Sequence, residues 1–341
     1  MAVTIKDVAK KAGVATSTVS RTIQDHSSIS EKTKIKVRQA MADLGYVPNF
    51  SAQSLASKTT KTIGVIMPVS DGVAFQNPFF LEVIREISKV CNEKHYMVSL
   101  ASGKDTGELL ESIKMMARRG TVDGFIVLYS TWEDQIIEYL HEANLIYAMV
   151  GRPYLFENET LYVDNDNRLS GKDATNYLLQ KGHTQIGYVG DDLDQVVTIE
   201  RMAGFRDALQ EAGIAINPQQ SILMTDSDNA TVTQPLEKLF EHQKTAPTAL
   251  VVSDDMLAVT VMQRLLMLGY QVPMDVSIIS FNNSIFAKMA YPKLTSIDIN
   301  VPQLGQQVAL KLIDKIEEKE APFVKMIIPH EIIERETVAS K

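Results

Sequence analysis

Apolar positions in the first 46 residues recur at helical spacing, in three short groups. Ile5, Val8, Ala9 and Ala12 share one helical face, with Thr4 placed to cap it and Asp7 three positions on. Gly13 breaks that helix, since a residue free to take positive φ suits a tight turn, and Val14 is an apolar contact within the turn. The pattern predicts a second helix from about Thr16 through Thr22, with Val19 inward. Ser30 opens a third, in which Ile35, Val37, Ala40, Met41 and Leu44 supply the spacing and Gly45 the stop. Pro48 then disfavours helix in the residue before it. Residues 49–58 (NFSAQSLASK) suit one short helix with too few apolar positions to be stable alone.

From Thr62 the pattern changes to apolar runs alternating with amphipathic stretches. Strands are predicted at Ile63–Met67, Tyr96–Ala101, Gly124–Leu128, Ile146–Val150, Ile186–Val189, Ala249–Val252, Val276–Phe281 and Lys325–Pro329. Helices fall between most of them, including Pro78–Lys94, Thr106–Arg119, Ser170–Lys181 and Ile199–Ala212. Alternation of this kind gives parallel sheets covered on both faces. So many strands suit two doubly wound subdomains better than one sheet. Parallel sheets place ligand sites beyond the carboxyl ends of their strands, so two facing sheets would form a cleft.

The composition fits a globular protein: 45% of the 341 residues are hydrophobic and 22% charged. No run approaches the ~18 apolar residues of a membrane span. The start, MAVTIKDVAKKAG, lacks the apolar core and cleavage site of a signal peptide, so a cytoplasmic protein is expected. A single cysteine, Cys91, excludes an internal disulfide framework and a cysteine-rich zinc site. The net charge of -8 argues against nucleic acid until it is divided by position. Residues 1–62 hold ten Lys/Arg and four Asp/Glu, a charge of +6; the remainder holds 24 and 38, a charge of -14. A basic module joined to an acidic one is the implied organisation.

A helix, a Gly-containing turn and a second helix fit the helix-turn-helix motif, whose second helix enters the major groove by its N-terminal residues. That brings Ala15, Thr16, Ser17 and Arg21 toward base edges, where Arg can grip guanine with two bonds. A small helical bundle with a solvated Arg21 would share the pattern. In the core, Phe79, Phe80, Tyr129 and Trp132 are aromatics near strand ends, where sugar rings could stack. Asp166, Arg201, Asp254 and Asn282 are polar residues that follow strands or open helices, although a carboxylate there, such as Asp254, can serve only as a helix cap. Enzyme readings find little support. Gly187-Tyr188-Val189-Gly190 is not a dinucleotide fingerprint, and neither a P-loop nor a GxSxG elbow is present. The six histidines are scattered with no HExxH pair, so neither metal nor cofactor is expected, and His183 reads as structural. The adjacent carboxylates Asp191/Asp192 and Asp254/Asp255 read as helix caps rather than acid–base pairs.

TIKDVAKKAGVATSTVSRTI, followed by KTKIKVRQAMADLGYVPNFSAQSLAS, closely resembles the head of the LacI-type bacterial transcription repressors. The resemblance continues through IGVIMP, NPFF, VDNDN, KGHTQIGYVG, RMAGFRDAL, TALVVSDDMLAV, VSIISFNNS and LTSIDINVPQLGQQVALKLI, essentially the whole chain. It implies a helix-turn-helix head over 1–47 and a hinge helix and linker over 48–61. It further implies a core similar to periplasmic sugar-binding proteins, with an N-subdomain (62–162 and 300–322) and a C-subdomain (163–299 and 323–341). A homodimer on double-stranded, pseudo-palindromic operator DNA is implied, with no membrane association. The chain ends without the leucine heptads of the family's tetramerisation helix, so a dimer is expected.

Carried over by position, the resemblance puts Thr16, Ser17 and Arg21 on major-groove bases and Ser20, Tyr46 and Asn49 on the sugar-phosphate backbone. Ala52 and Leu55 take the minor-groove positions of the hinge helix, where an inserted leucine unstacks a base step and kinks the duplex. Effector-binding residues are implied at Arg201, Asp254 and Asn282, with Asn77, Phe79, Tyr129, Asp164, Asn165 and Asp166 as further candidates. Where many members carry Gly-Tyr/Phe-Asp-Asp, this chain has Ser280-Phe281-Asn282-Asn283-Ser284, exchanging a charge for donors. SFNNS with VDNDN and QNPFF is similar to the maltose-operon repressors of low-GC Gram-positive bacteria, which implies maltose or a maltodextrin as the effector. The family's catabolite regulators answer to a phosphorylated carrier protein instead, and that alternative stays open. So do a sugar-binding protein and a sugar-processing enzyme without DNA function.

Overall fold

The computed structural model describes residues 3–23, 25–46, 59–69, 76–132, 134–190, 194–216, 221–223, 229–241, 246–318 and 320–341. Two compact units divide the chain between Thr60 and Lys61. The predicted hinge helix, with Asn49, Ala52 and Leu55, lies outside the described residues.

The first unit holds α1 (Ile5–Ala12), α2 (Thr16–Ile23) and α3 (Glu31–Leu44). Asp7 fastens the start of α1 by accepting from the Thr4 backbone N–H at 2.9 Å and its hydroxyl at 2.7 Å. Gly13 and Gly45 end α1 and α3 in the left-handed region, at φ 62° and 61°. Val8, Ala9, Ala12, Val19, Val37 and Ala40 form the core between the helices. One expectation fails: Ile35 is 65% exposed, and Lys34 occupies the inward turn. Its ammonium lies 3.0 Å from both Asp25 and Glu31, which compensates the charge brought inward.

The second unit is built on two six-stranded sheets. The first comprises β1 (Thr62–Ile66), β2 (Met97–Ala101), β3 (Gly124–Val127), β4 (Tyr147–Val150), β5 (Leu161–Asp164) and β11 (Lys325–Ile327), ordered β11-β5-β4-β3-β1-β2 and parallel throughout. The second comprises β6 (Ile186–Gly190), β7 (Ser221–Leu223), β8 (Ala249–Val252), β9 (Ser277–Phe281), β10 (Thr295–Asp298) and β12 (Glu331–Ile333). Its order is β12-β10-β9-β8-β6-β7, with only β12 antiparallel among these pairings. The inner strands β3, β4, β8 and β9 are buried at every position; the first three read as continuous apolar runs, and β9 (SIISF) also buries Ser277 and Ser280.

The helices α4 (Pro78–Glu93), α5 (Thr106–Arg119), α6 (Gln135–Glu142) and α12 (Val301–Glu317) cover the first sheet. The second carries α7 (Asn167–Gln180), α8 (Val196–Glu211), α9 (Asn229–Phe240), α10 (Asp255–Met267) and α11 (Ile285–Met289). The tightest helix contact joins α7 to α8 through Gly171 and Gly204. A Cβ on Gly171 would lie 2.1 Å from the Arg201 carbonyl oxygen, and one on Gly204 1.9 Å from that of Arg168.

The chain passes between the sheets three times: after β5, after β10 and after β11. The expected subdomain limits need correction on this point. A division at 162/163 cuts through β5, and β11 belongs to the first sheet, not with the rest of 323–341. The reason is the parallel ladder that pairs Lys325, Met326 and Ile327 with Tyr162, Val163 and Asp164. Asn165, on the first crossover, donates its amide hydrogens to the Ile299 carbonyl at 2.9 Å and the Ile328 carbonyl at 2.8 Å, tying all three crossovers together.

Candidate DNA interface and effector site

Helix α2 presents two faces. Val19 and Thr22 are buried against α1 and α3, while Ala15, Thr16, Ser17 and Arg21 are exposed and Ser20 is half-exposed. Positions 16, 17, 20 and 21 therefore share a side, one turn apart. Among the described residues the Arg21 side chain has no ion-pair or hydrogen-bond partner, whereas Lys11, Lys34 and Arg38 are each paired with carboxylates of the same unit. Among the described residues the Arg21 guanidinium is thus uncommitted, which suits the base-reading role that the resemblance implies for it. Tyr46 is half-buried against the head's core, with its N–H on the Met41 carbonyl at 2.9 Å.

In the second unit, polar side chains converge beyond the carboxyl ends of β8 and β9. Asp254 caps α10 with one carboxylate oxygen, which accepts from the N–H groups of Met256 at 2.7 Å and Leu257 at 3.0 Å. Its other oxygen accepts from Asn77 Nδ2 at 3.0 Å and Asn282 Nδ2 at 3.1 Å. A purely capping carboxylate would not gather two amides, and Asn77 comes from the first sheet's side, at the start of α4. An aspartate at 282 would set carboxylate against carboxylate at this distance, which explains the amide. Asn282 takes φ 99° and Asn283 φ 48°, conformations that asparagine tolerates better than most residues. Asn283 turns away, donating to Asp298 at 2.8 Å and accepting from Arg335 at 2.5 Å.

Arg201 completes the cluster. It is 5% exposed. Its Nε donates to Asn167 at 3.2 Å and its Nη1 to the Ser253 carbonyl at 2.7 Å. Its guanidinium lies 4.3 Å from the Phe281 ring centre. Beside it, Asp164 accepts from the N–H groups of Arg152 (2.8 Å) and Asn165 (2.7 Å) and from Asn167 Nδ2 (3.0 Å). Burial nevertheless pushes the Asp164 carboxyl up to about 6. Phe79, two residues after Asn77, donates its N–H to that side chain at 3.0 Å; its ring meets Phe80 edge-on at 5.2 Å.

Other candidates lie elsewhere. Tyr129 packs on the opposite face of the first sheet with Tyr139 and Leu155; burial and then Asp134 raise its phenol well above the usual value. Asp166 is an exposed cap that accepts from the Leu169 N–H at 2.8 Å. Asn165 spends both amide hydrogens on the crossovers. Asn167 and Tyr154 were not singled out in the sequence. Asn167 sits within the VDNDN run and only the fold turns it toward Arg201. Tyr154 follows β4, and its ring lies 4.3 Å from that of Trp132. His183 is structural, lying 3.0 Å from both Thr248 Oγ1 and the Ala339 carbonyl. Among the described residues no group of three His, Cys, Asp or Glu is arranged to hold a metal. Nor is any helix among them long and apolar enough to cross a membrane.

Comparison with known proteins adds the following. Residues 4–49 match the family described as bacterial regulatory proteins, lacI family, and residues 175–338 match a periplasmic binding protein-like domain. The chain is 34% identical over 344 residues to the HTH-type transcriptional regulator MalR of Streptococcus pneumoniae, covering 98% of this chain and 100% of that protein. It superposes on a transcriptional regulator CelR–cellobiose complex with a TM-score of 0.76 at 27% identity, over 98% and 99% of the two chains. It shares the fold of the lac repressor dimer bound to operator and the anti-inducer ONPF, at TM-score 0.81 and 23% identity, over 99% and 100%.

Proposed function

Since the chain belongs to the lacI family of bacterial regulatory proteins, and is a DNA-binding transcriptional repressor rather than an enzyme, we propose that a sugar releases it from its operator. The effector we assign is maltose or a maltodextrin, bound by Arg201, Asp254, Asn282 and Asn77, with Phe79 alongside. One observation carries this reading: Asp254 holds amides from both sides of the core on a single oxygen. A hydroxyl-rich ligand entering there exchanges those bonds for its own and so changes how the two sheets are joined. Only a ligand with different affinity for the two arrangements shifts their balance, and operator then weakens the sugar as the sugar weakens operator. Similarity to MalR and to the CelR–cellobiose structure supports a sugar as the effector.

On the DNA side, Thr16, Ser17 and Arg21 read bases in the major groove, and Ser20 and Tyr46 hold the backbone. Asn49 is assigned to the backbone as well, and Ala52 and Leu55 to the minor groove. Two copies act together in the cytoplasm, pairing through their cores over a pseudo-palindromic site.

A titration of labelled operator with glucose, maltose, maltotriose and the phosphorylated carrier protein tests the assignment. Maltose and maltotriose are expected to release the operator, and Arg201→Ala to lose that response. Release or tightening by the phosphoprotein alone would replace the sugar with the catabolite-regulator reading.

A further inference from the structure

Two aromatic rings at the carboxyl edge of the first sheet are open to solvent. Trp132, in the loop after β3, is 40% exposed, and Tyr154, in the loop after β4, is 51% exposed. Their centroids are 4.3 Å apart with the planes tilted by 47°. An ordinary packing pair would hide more of its surface, so about half of this apolar area is free to meet something else.

The surroundings fix where the pair sits. Thr131, next to Trp132, forms a β-bridge with Gln195, and the Val196 N–H donates to the Ser130 carbonyl at 3.1 Å. The Trp132 loop therefore touches the start of α8, the helix that carries Arg201 one and a half turns later. From the Tyr154 loop, Arg152 reaches Glu200 on the same helix at 3.7 Å. Glu200 is half-buried, and burial raises its carboxyl above the usual range. Two aromatic faces thus stand beside an arginine–glutamate pair, at the place where loops of the first sheet meet α8. Aromatic faces suit the C–H faces of a pyranose, and paired charged donors and acceptors suit its hydroxyls.

Resting on the sugar-effector reading, we propose that Trp132 and Tyr154 form a second sugar subsite, so that the effector is an oligosaccharide of at least two rings. One ring occupies the Arg201–Asp254–Asn282 cluster, and a further ring stacks on Trp132 and Tyr154. The polar cluster sets whether a sugar binds; the aromatic pair sets how long it must be.

Trp132 is the sole tryptophan of the chain, so all tryptophan emission comes from this loop, and the Tyr154 variants separate stacking from a rearrangement of the sheets. The full-length protein is titrated with glucose, maltose, maltotriose and maltotetraose, by tryptophan emission and by calorimetry. Saccharides of two or more rings are expected to change the emission, and glucose to leave it unchanged. Tyr154→Ala weakens the longest sugar bound by about tenfold, a stacking-sized loss, and Tyr154→Phe restores it. Arg201→Ala removes binding of every saccharide. If calorimetry shows binding while emission stays constant and Tyr154→Ala binds like the parent, the subsite is wrong and the sugar reading stands. If no saccharide gives heat, both fall together.

Discussion

Arg21 and Arg201 carry the same guanidinium into opposite circumstances. Arg21 stands exposed on α2 with no side-chain partner among the described residues, so the fold does not depend on it. Arg21→Ala is expected to leave the thermal midpoint unchanged and to weaken operator by about 1–3 kcal/mol, with a smaller loss on random DNA. Equal losses on both sequences in a salt titration would remove its base-reading role. Arg201 is buried, and its loss removes two hydrogen bonds, to the Ser253 carbonyl and to Asn167, at a cost of about 1–3 kcal/mol in addition to the lost response. Asp164 gives a pH signature. Its folded value of about 6 lies above the ordinary carboxylate value of 3.8, so the protonated form is favoured on folding. That contribution is complete below the unfolded value and is lost as pH rises through about 6. Asp164→Asn should therefore gain stability relative to the parent on going from pH 4 to pH 7 in urea unfolding. A constant difference across that range would mean Asp164 is not held up by burial.

At the scale of helices and strands, legibility followed length and local pairing. Helices α1, α2 and α5 and the long buried strands declared themselves by period and by caps. The strands β5, β7, β10 and β12 did not: TSID and EII are partly polar, whereas β3, β4 and β8, no longer than β5 or β10, are apolar at every position. So short a segment carries no reliable period, and only its neighbours in the sheet make it a strand. Ile35 misled for a related reason: the inward position on α3 went to Lys34 because Asp25 and Glu31 were at hand to pair with it. In the effector cluster, Arg201, Asp254 and Asn282 could be picked as polar groups that follow strands or open helices, while Asn77 came only with the family resemblance. That Asn167 orients Arg201, while Asp166 beside it faces solvent, depended on the phase of α7, which the sequence left open. The α7–α8 contact was invisible as well, since RMAGF and LSG do not say which glycines face each other. Gly204→Ala is expected to force these helices apart, cost up to about 3 kcal/mol and displace Arg201. Its sugar affinity should fall even though no ligand contact is removed. A variant as stable as the parent would show that the helices can separate freely.

For the whole molecule, the charge division falls almost on the boundary between the two compact units: residues 1–60 carry +5 and residues 61–341 carry -13. A basic unit is expected to supply salt-dependent attraction to phosphates and an acidic one to discourage contact through the core, so the isolated head should keep at least the nonspecific DNA affinity of the whole protein at equal salt. Large apolar side chains on the second unit are left exposed close together in sequence: Leu266, Met267, Met274, Ile285, Met289 and Tyr291, the last at 96%. They lie on α10, on α11, which packs against it, and on the segments that follow each, and we assign them to the pairing surface. Tyr291→Asp with Met289→Asp should shift the protein to monomers in sedimentation. Operator affinity should then fall about a hundredfold or more, because two heads no longer share one tether. A dimer that persists would place the pairing surface elsewhere. The three crossovers have a further consequence, during synthesis. The three helices of the head are all made by Leu44, but the first sheet waits for β11 and the second for β12. The Ile278 carbonyl, His183 and the Lys181 carbonyl wait for Thr337, Ala339 and Lys341. A nascent chain can therefore carry a folded head while both sheets still lack an edge strand. Translation halted before residue 325 would release single heads that touch DNA weakly, answer to no sugar and expose open sheet edges to proteases.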